Sequence, residues 1–182
     1  NKDFFSNREY FRSLCLNAEA CPSQPRGIYT DYLASQYSTP SPLAFIMQRL
    51  LIAGDPTSSW KSVLNPMFGY GALSVFLSKH GLKTEGIEIN KKTFDLIKEA
   101  NFENTRLHNL DFIDTPNEQL LELTYNRAPF KYVISSPACL ISKSKFEYRD
   151  KHGSIELERI DLITLLKSLL LREYQGRTVF LL

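Results

Sequence analysis

The stretch "SVLNPMFGYGAL", Ser62 to Leu73, decides the fold class of this chain. It starts with a short apolar run typical of a buried strand and continues into a turn with two glycines, Gly69 and Gly71. Glycine adopts positive φ without steric cost, so this turn can be tight and can bring the backbone close to a ligand. A helix over Ala72 to His80, ended by Gly81, is expected next. A strand, a glycine-rich turn and a helix predict the first unit of an α/β domain.

Strands and helices alternate on both sides of this turn. Upstream, "TPSPLAFIMQRLLIAG" predicts a helix with Ser41 as its N-cap, Pro42 at its first helical position and Gly54 as the left-handed residue that ends it. Downstream, the apolar segments "TEGIEI", "TRLHNLDF", "KYVISS" and "RTVFLL" are separated by predicted helices from Asn90, from Thr115, and from about Ile155 to Tyr174. This pattern predicts an α/β fold in which helices cover both faces of a mostly parallel sheet.

Composition and charge exclude several classes of protein. The 182 residues are 43% hydrophobic and 23% charged, which is typical of one globular domain. The net charge of +2 is too small to indicate a general polyanion-binding surface, so a nucleic-acid substrate has to be inferred from a site. The longest apolar segment is too short to span a bilayer, and the three cysteines favour a reducing, cytoplasmic location. Neither the cysteines nor the three histidines have metal-ligand spacing, so no metal site is predicted.

Acidic side chains follow the second and third strands. Glu88 comes after the second strand, and Asp111 after the third. Ligands of parallel sheets bind beyond the carboxyl ends of the strands, where Glu88 could bond the two hydroxyls of a ribose and Asp111 an adenine amino group. Taken singly, each feature also has a structural explanation: a tight turn at the glycines, a rim charge at Glu88 and a turn cap at Asp111. Their shared order favours a cofactor site.

These segments resemble the gamma-type adenine-N6 DNA methyltransferases. "QYSTPSPLAFIM" resembles the Tyr-x-Thr-Pro segment before the first strand of that family, and "NPMFGYGAL" resembles its Asp-Pro-x-x-Gly-x-Gly loop. "GIEIN" and "NLDFID" resemble its ribose-binding and adenine-binding acids, and "ERIDLITLLKSLLLREYQGRTVFLL" is similar to a segment of plasmid and phage methylase domains. The resemblance covers Gln36 to Leu182, which implies a methyltransferase-like domain over 36–182 and an N-terminal helical extension over 1–35.

The resemblance implies a Rossmann-like fold that binds S-adenosylmethionine and acts on DNA, as in restriction-modification systems. In the family, two further strands and a target-recognition region follow, so the sheet is expected to stop early here, after its fifth strand. Another part of a longer polypeptide, or a partner chain, is then expected to complete it. The cofactor-binding residues that the resemblance implies are Tyr37, Thr39, Pro40, Asn65, Gly69, Gly71, Glu88 and Asp111.

The sequence departs from the family pattern at two places. Asn65 replaces the usual Asp, which keeps a hydrogen bond to the cofactor's ammonium group but weakens the charge attraction. The catalytic turn after the fourth strand is Ser136, Pro137, Ala138 and Cys139, where the family has Asn/Asp-Pro-Pro-Tyr/Phe. The family's turn bonds the target amino group and stacks a ring on the flipped base, and loss of stacking costs about 1–3 kcal/mol. Weakened or lost catalysis is therefore predicted.

Other interpretations stay open. The chain could be a catalytically inactive methyltransferase-fold scaffold, or a nucleic-acid-binding module of a larger mobile-element protein. "GYGALS" followed by Glu88 also partly imitates the fingerprint of NAD-dependent oxidoreductases, although that reading leaves the Tyr-x-Thr-Pro segment and Asp111 unexplained. Cys139 as a nucleophile, as in cytosine-C5 methyltransferases, is disfavoured because Ala138 separates it from Pro137.

Overall fold

The computed structural model describes residues 39–54, 61–77, 80–124, 127–137 and 141–182, except the side chains of Ile141, Lys143 and Ser144. The predicted extension over residues 1–35 lies outside this part of the chain. The elements within the described ranges are, in chain order, α1 (Ser41–Ile52), β1 (Ser62–Asn65), β2 (Lys83–Ile87), α2 (Lys91–Glu99), β3 (Thr105–His108), α3 (Asn117–Leu121), β4 (Phe130–Ser135), β5 (Ile141–Asp150), β6 (Gly153–Arg159), α4 (Ile160–Leu171) and β7 (Arg172–Phe180).

Five of these strands form one sheet in the order β3-β2-β1-β4-β7, and all neighbouring pairs in it are parallel. The predicted mostly parallel sheet is therefore confirmed. The chain adds β2 and β3 on one side of β1 and then crosses to β4 on the other side. The strand order thus reverses beside β1, which is the point where open α/β sheets bind ligands.

Helices cover both faces of this sheet, as the alternation of elements predicts. Side chains of a strand alternate between its two faces. Val63 and Tyr132 therefore pack in one core cluster with residues of α1, whereas Leu64 and Val133 pack in a second cluster with residues of α3 and α4. β4 is buried on both faces, as expected for a central strand of a parallel sheet.

α1 lies where the sequence predicts a helix, with a proline in its first turn, and Gly54 follows it with a φ of +66°. A left-handed glycine is a common way to end a helix because it avoids the steric clash of a Cβ. The predicted N-cap is wrong: Ser41 is already helical, the N-cap is Pro40, and no described side chain caps the helix. None of the helices in the described ranges is long and apolar enough to cross a bilayer.

The predicted helix over Ala72 to His80 is wrong for the residues that the structure describes there, 72–77 and 80. The backbone instead makes consecutive turns, in which Ser74 N–H donates to Gly71 O at 2.9 Å and Leu77 N–H donates to Ser74 O at 3.0 Å. The neighbouring side chains Phe76 and Leu77 are both buried in the core cluster of α1. Consecutive tight turns bury both neighbouring side chains in the same cluster.

The predicted long helix from Ile155 to Tyr174 is also wrong at both ends. Residues Gly153–Arg159 form β6, which pairs with β5 as an antiparallel hairpin, and β7 already begins at Arg172. The cross-strand pairs Phe146 with Leu157 and Tyr148 with Ile155 place apolar side chains opposite one another. The alternation in "SIELER" has the period of a strand, but the adjoining leucine-rich segment concealed it.

Candidate cofactor-binding site

Polar residues of the predicted site follow four neighbouring strands. Asn65 ends β1, Glu88 follows β2, Asp111 lies three residues after β3, and Ser136 follows β4. These strands are adjacent and parallel, so their carboxyl ends meet at one edge of the sheet. The structure therefore brings these four residues to the same edge, beside the reversal in strand order.

Asn65 presents an unused hydrogen-bond acceptor at the start of this edge. The residue is fully buried, and its Nδ2 donates to Ser74 Oγ at 3.4 Å. Its Oδ1 is also buried and has no hydrogen-bond partner among the described residues. A buried acceptor without a partner costs about 1–3 kcal/mol. A donor group on a bound ligand would remove that cost.

The two glycines of the turn have different roles, although both have positive φ. Gly71, at +82°, is packed inside: a Cβ there would lie 2.6 Å from Phe102 Cζ and 2.8 Å from Phe68 Cε1. A Cβ on Gly69, at +55°, would have no atom within 4 Å. Gly71 is therefore required for packing, whereas the open side of Gly69 is a backbone surface that a ligand can approach closely.

Glu88 connects the glycine turn to the start of α2. Its side chain is almost completely buried, its Oε2 accepts a hydrogen bond from Gly69 N–H at 2.9 Å, and its Oε1 accepts one from Asn90 N–H at 2.7 Å. The predicted site residues Gly69 and Glu88 are thus in direct contact. A carboxylate only accepts hydrogen bonds, so the hydroxyls of a ribose are donors that suit it.

Asp111 caps the turn that follows it, which is the structural role that the sequence allowed. Its Oδ1 accepts hydrogen bonds from Ile113 N–H at 2.8 Å and Asp114 N–H at 3.3 Å. Its carbonyl oxygen accepts another from Thr115 N–H at 2.9 Å. The side chain is half-buried, and the capping bonds do not involve Oδ2. The cap therefore orients the carboxylate and is compatible with a further hydrogen bond from an adenine amino group.

Lys167 in α4 belongs to the same region, although the sequence analysis did not identify it. Its side chain is buried, and its Nζ donates to the carbonyl oxygens of Ile113 at 2.8 Å and Thr115 at 2.7 Å. These residues belong to the turn that Asp111 caps. The available signal was a single lysine inside the leucine-rich segment "LITLLKSLLL", where a charge on the buried face of a helix is unusual.

The beginning of α4 links the hairpin to the glycine turn. Asp161 is fully buried, and its Oδ1 accepts hydrogen bonds from Arg159 Nε at 3.1 Å and from Leu162 N–H at 3.0 Å. The Arg159 guanidinium is the main reason why the pKa of the Asp161 carboxyl lies below its ordinary value. One turn later, Thr164 Oγ1 lies 3.9 Å from the sulfur of Met67 in the "NPMFGYG" turn.

The segment before α1 is described only in part. Thr39 is buried, and the carbonyl oxygen of Pro40 accepts a hydrogen bond from Ala44 N–H at 3.0 Å in the first turn of the helix. Tyr37 lies outside the described residues. The contact of this segment with the methionine end of a cofactor stays a prediction.

The predicted catalytic turn is also described only in part. Ser136 is half-buried and Pro137 is buried, both directly after β4 at the edge that carries Asn65 and Glu88. Ala138 and Cys139 lie outside the described residues. Their effect on catalysis therefore stays a prediction from the sequence.

Comparison with known proteins bears on the fold. No family model and no curated protein sequence matches this chain. A solved structure assigned as an RNA methyltransferase, from Pyrococcus horikoshii, is similar to 88% of this chain over 69% of its own length, with a TM-score of 0.58 and 18% identity. The modification subunit assigned to a type I restriction enzyme from Vibrio vulnificus is similar to 79% of this chain, with a TM-score of 0.51 and 14% identity. The fold is the Rossmann-like methyltransferase fold.

This result confirms the fold class expected from the sequence. The chain spans about a third of the restriction subunit, 32% of its length, so the similarity concerns a domain of that protein. In a methyltransferase fold, the carboxyl edge of the sheet described above is the place where a cofactor site is expected.

Proposed function

We propose that this chain is an S-adenosylmethionine-binding, methyltransferase-like domain whose target class is the adenine N6 amino group of DNA, with weakened or lost catalysis. The observation that carries this proposal is the joint position of three features at one sheet edge. These are the Oδ1 of Asn65, which has no partner within the described part of the chain, the open side of Gly69 and the carboxylate of Glu88. A ligand with an amino-acid end and a ribose matches this order of groups.

The residues present fit this cofactor. S-adenosylmethionine supplies a methyl group on a positively charged sulfur, which a nucleophilic nitrogen can accept. Asn65 Oδ1 would accept a hydrogen bond from the ammonium group, and Glu88 would accept bonds from the ribose hydroxyls. Asp111 would accept a bond from the adenine amino group through Oδ2. These roles agree with those that the family resemblance implies for the same residues.

The residues that would bind the target base match the family pattern less well than those that would bind the cofactor. The Ser136 hydroxyl, next to the buried Pro137, can accept one hydrogen bond from a target amino group but reaches less far than an asparagine side chain. In "SPAC" no aromatic residue is available to stack on a flipped base. DNA as the substrate rests on the resemblance. The similar structures assigned as an RNA methyltransferase and as a restriction modification subunit support nucleic acid as the general class.

A catalytically inactive scaffold is the second candidate function. The replacements in the catalytic turn favour it, and it predicts cofactor binding without methyl transfer. A nicotinamide-dependent oxidoreductase is not proposed, because no feature of the described site favours it over a methyltransferase.

Calorimetric titration with S-adenosylhomocysteine tests the proposal. We expect the folded chain to bind it, and Asn65→Ala to weaken binding about tenfold, because a hydrogen bond from a charged donor is lost. Lys151→Met, at the exposed tip of the β5–β6 hairpin, is the matched control and should bind normally. No binding by the folded protein, or equal binding of NADH, would overturn the cofactor assignment.

Methyl transfer is measured separately, with tritiated S-adenosylmethionine and adenine-containing DNA or RNA. We expect little or no transfer to DNA despite cofactor binding. Rapid transfer to DNA would contradict weakened catalysis, and transfer to RNA alone would contradict the proposed substrate.

A further inference from the structure

Lys167 is a buried charge whose position is not explained by packing alone. Its side chain is 3% exposed, on the inner face of α4, where neighbouring positions carry the apolar Ile163 and Leu171. Burying an ammonium group is costly, and an apolar side chain of similar size would often be at least as stable. The charge therefore needs a local function that offsets this cost.

The ammonium group of Lys167 holds the turn that carries Asp111. Its Nζ donates to Ile113 O at 2.8 Å and to Thr115 O at 2.7 Å. The backbone N–H of Ile113, in turn, donates to Asp111 Oδ1 at 2.8 Å. A short series of contacts therefore runs from Lys167 through this turn to the Asp111 carboxylate.

Electrostatics favour the same arrangement. Burial lowers the pKa of Lys167, and nearby carboxylates oppose that shift by stabilising the ammonium form. The Nζ atom also lies 5.3 Å from the centre of the Phe112 ring, which adds a cation–π contact. The carboxylates that stabilise the ammonium form of Lys167 are Asp111, Asp114 and Glu118.

We propose that Lys167 is a positioning residue that makes the cofactor site selective for adenine, by holding the turn that orients the Asp111 carboxylate. This inference rests on the proposed cofactor function. An ionised carboxylate accepts a hydrogen bond from the 6-amino group of adenine and repels the 6-oxo group of hypoxanthine. Selectivity between these bases requires both the charge of Asp111 and its fixed orientation.

The test compares S-adenosylhomocysteine with its 6-oxo analogue, S-inosylhomocysteine, by calorimetry. Wild type should prefer the adenine compound. Lys167→Met keeps an unbranched, apolar side chain but leaves two carbonyl oxygens without their donor. We expect it to weaken binding of the adenine compound about tenfold and that of the hypoxanthine compound much less, so the ratio of the two affinities collapses. Lys167→Arg, which keeps the charge and the donors, should retain more of the ratio, and Lys151→Met should retain all of it.

The ratio separates positioning from general support of the fold. If Lys167 only supported the fold, folded Lys167→Met would bind both compounds less tightly by the same factor, or would bind both normally. In either case the ratio of affinities would be unchanged, and that result would overturn the inference. If Lys167→Met does not fold, Lys167→Gln retains an N–H donor group without the charge and should give an intermediate ratio; a wild-type ratio in that variant counts against the inference. Failure of wild type to bind either compound would overturn the proposed function itself, and this inference with it.

Discussion

Replacing each glycine of the "NPMFGYG" turn by alanine should affect folding and ligand binding to different degrees. Both glycines have positive φ, +55° at Gly69 and +82° at Gly71, so alanine introduces backbone strain at either position. Only Gly71→Ala also introduces a steric clash, with the rings of Phe68 and Phe102. Both variants therefore carry backbone strain, and only Gly71→Ala also carries a steric clash.

The magnitudes follow from these contacts. A left-handed conformation costs a residue with a Cβ about 1–2 kcal/mol. At Gly71, contacts of 2.6 Å and 2.8 Å would force buried rings to move, and overpacking of this kind typically costs a further 1–3 kcal/mol. We therefore expect Gly69→Ala to lower the free energy of unfolding by about 1–2 kcal/mol and Gly71→Ala by about 2–5 kcal/mol.

Binding should show the reverse contrast. The Cβ of Gly69→Ala would lie in open space on the side where the backbone faces the proposed cofactor. We expect this variant to fold but to bind S-adenosylhomocysteine about tenfold less tightly, or weaker still. Urea unfolding followed by circular dichroism gives the stabilities, and calorimetry gives the affinities.

Two outcomes would refute this reasoning. Equal destabilisation by the two variants would mean that Phe68 and Phe102 do not confine Gly71. Normal cofactor binding by Gly69→Ala would mean that the open side of Gly69 does not face the ligand.

Three further predictions concern other parts of the site. Asn65→Asp should raise S-adenosylhomocysteine affinity in calorimetry while lowering the urea stability of the free protein, because a buried carboxylate gains a partner only when the ligand's ammonium group is bound; a loss of affinity would contradict this. Asp161 has a lowered pKa in the folded state, so its stabilising contribution is present above its unfolded pKa and is lost as the pH falls through the folded value. Acid unfolding of wild type should therefore be steeper than that of Asp161→Asn, and parallel curves would argue against the shift. Combined Ser136→Asn, Ala138→Pro and Cys139→Tyr should raise tritium transfer to DNA in a chain that includes a target-recognition region, whereas reduced transfer would identify "SPAC" as a working variant.

Local sequence patterns were enough to predict the sheet and several of its ligand-facing residues. The buried run of β4, the proline-initiated α1 and the positive φ of Gly54 and Gly69 depend on a few neighbouring residues, and the structure agrees with them. Glu88 was predicted from its place after β2, because the carboxyl ends of parallel strands meet at one edge.

Local sequence patterns gave the wrong element where the same segment is compatible with more than one secondary structure. The segment after Gly71 is apolar enough for a helix, but burial of both Phe76 and Leu77 selects tight turns in the described part of that segment. "SIELER" became β6 only because β5 supplies matching apolar partners across the hairpin. Competition of this kind is decided by contacts that lie outside the segment itself.

Tertiary structure alone decided the roles of individual site residues. Gly69 and Gly71 look alike in the sequence, but Phe102, about thirty positions away, occupies the space beside only one of them. Likewise, Lys167 meets the Asp111 turn only because α4 packs over the sheet, which brings its ammonium group to carbonyls more than fifty residues earlier. The sequence by itself determined which chemical groups reach the sheet edge. Folding decided which of them are paired and which stay open to a ligand, because pairing depends on distances between residues that are remote along the chain.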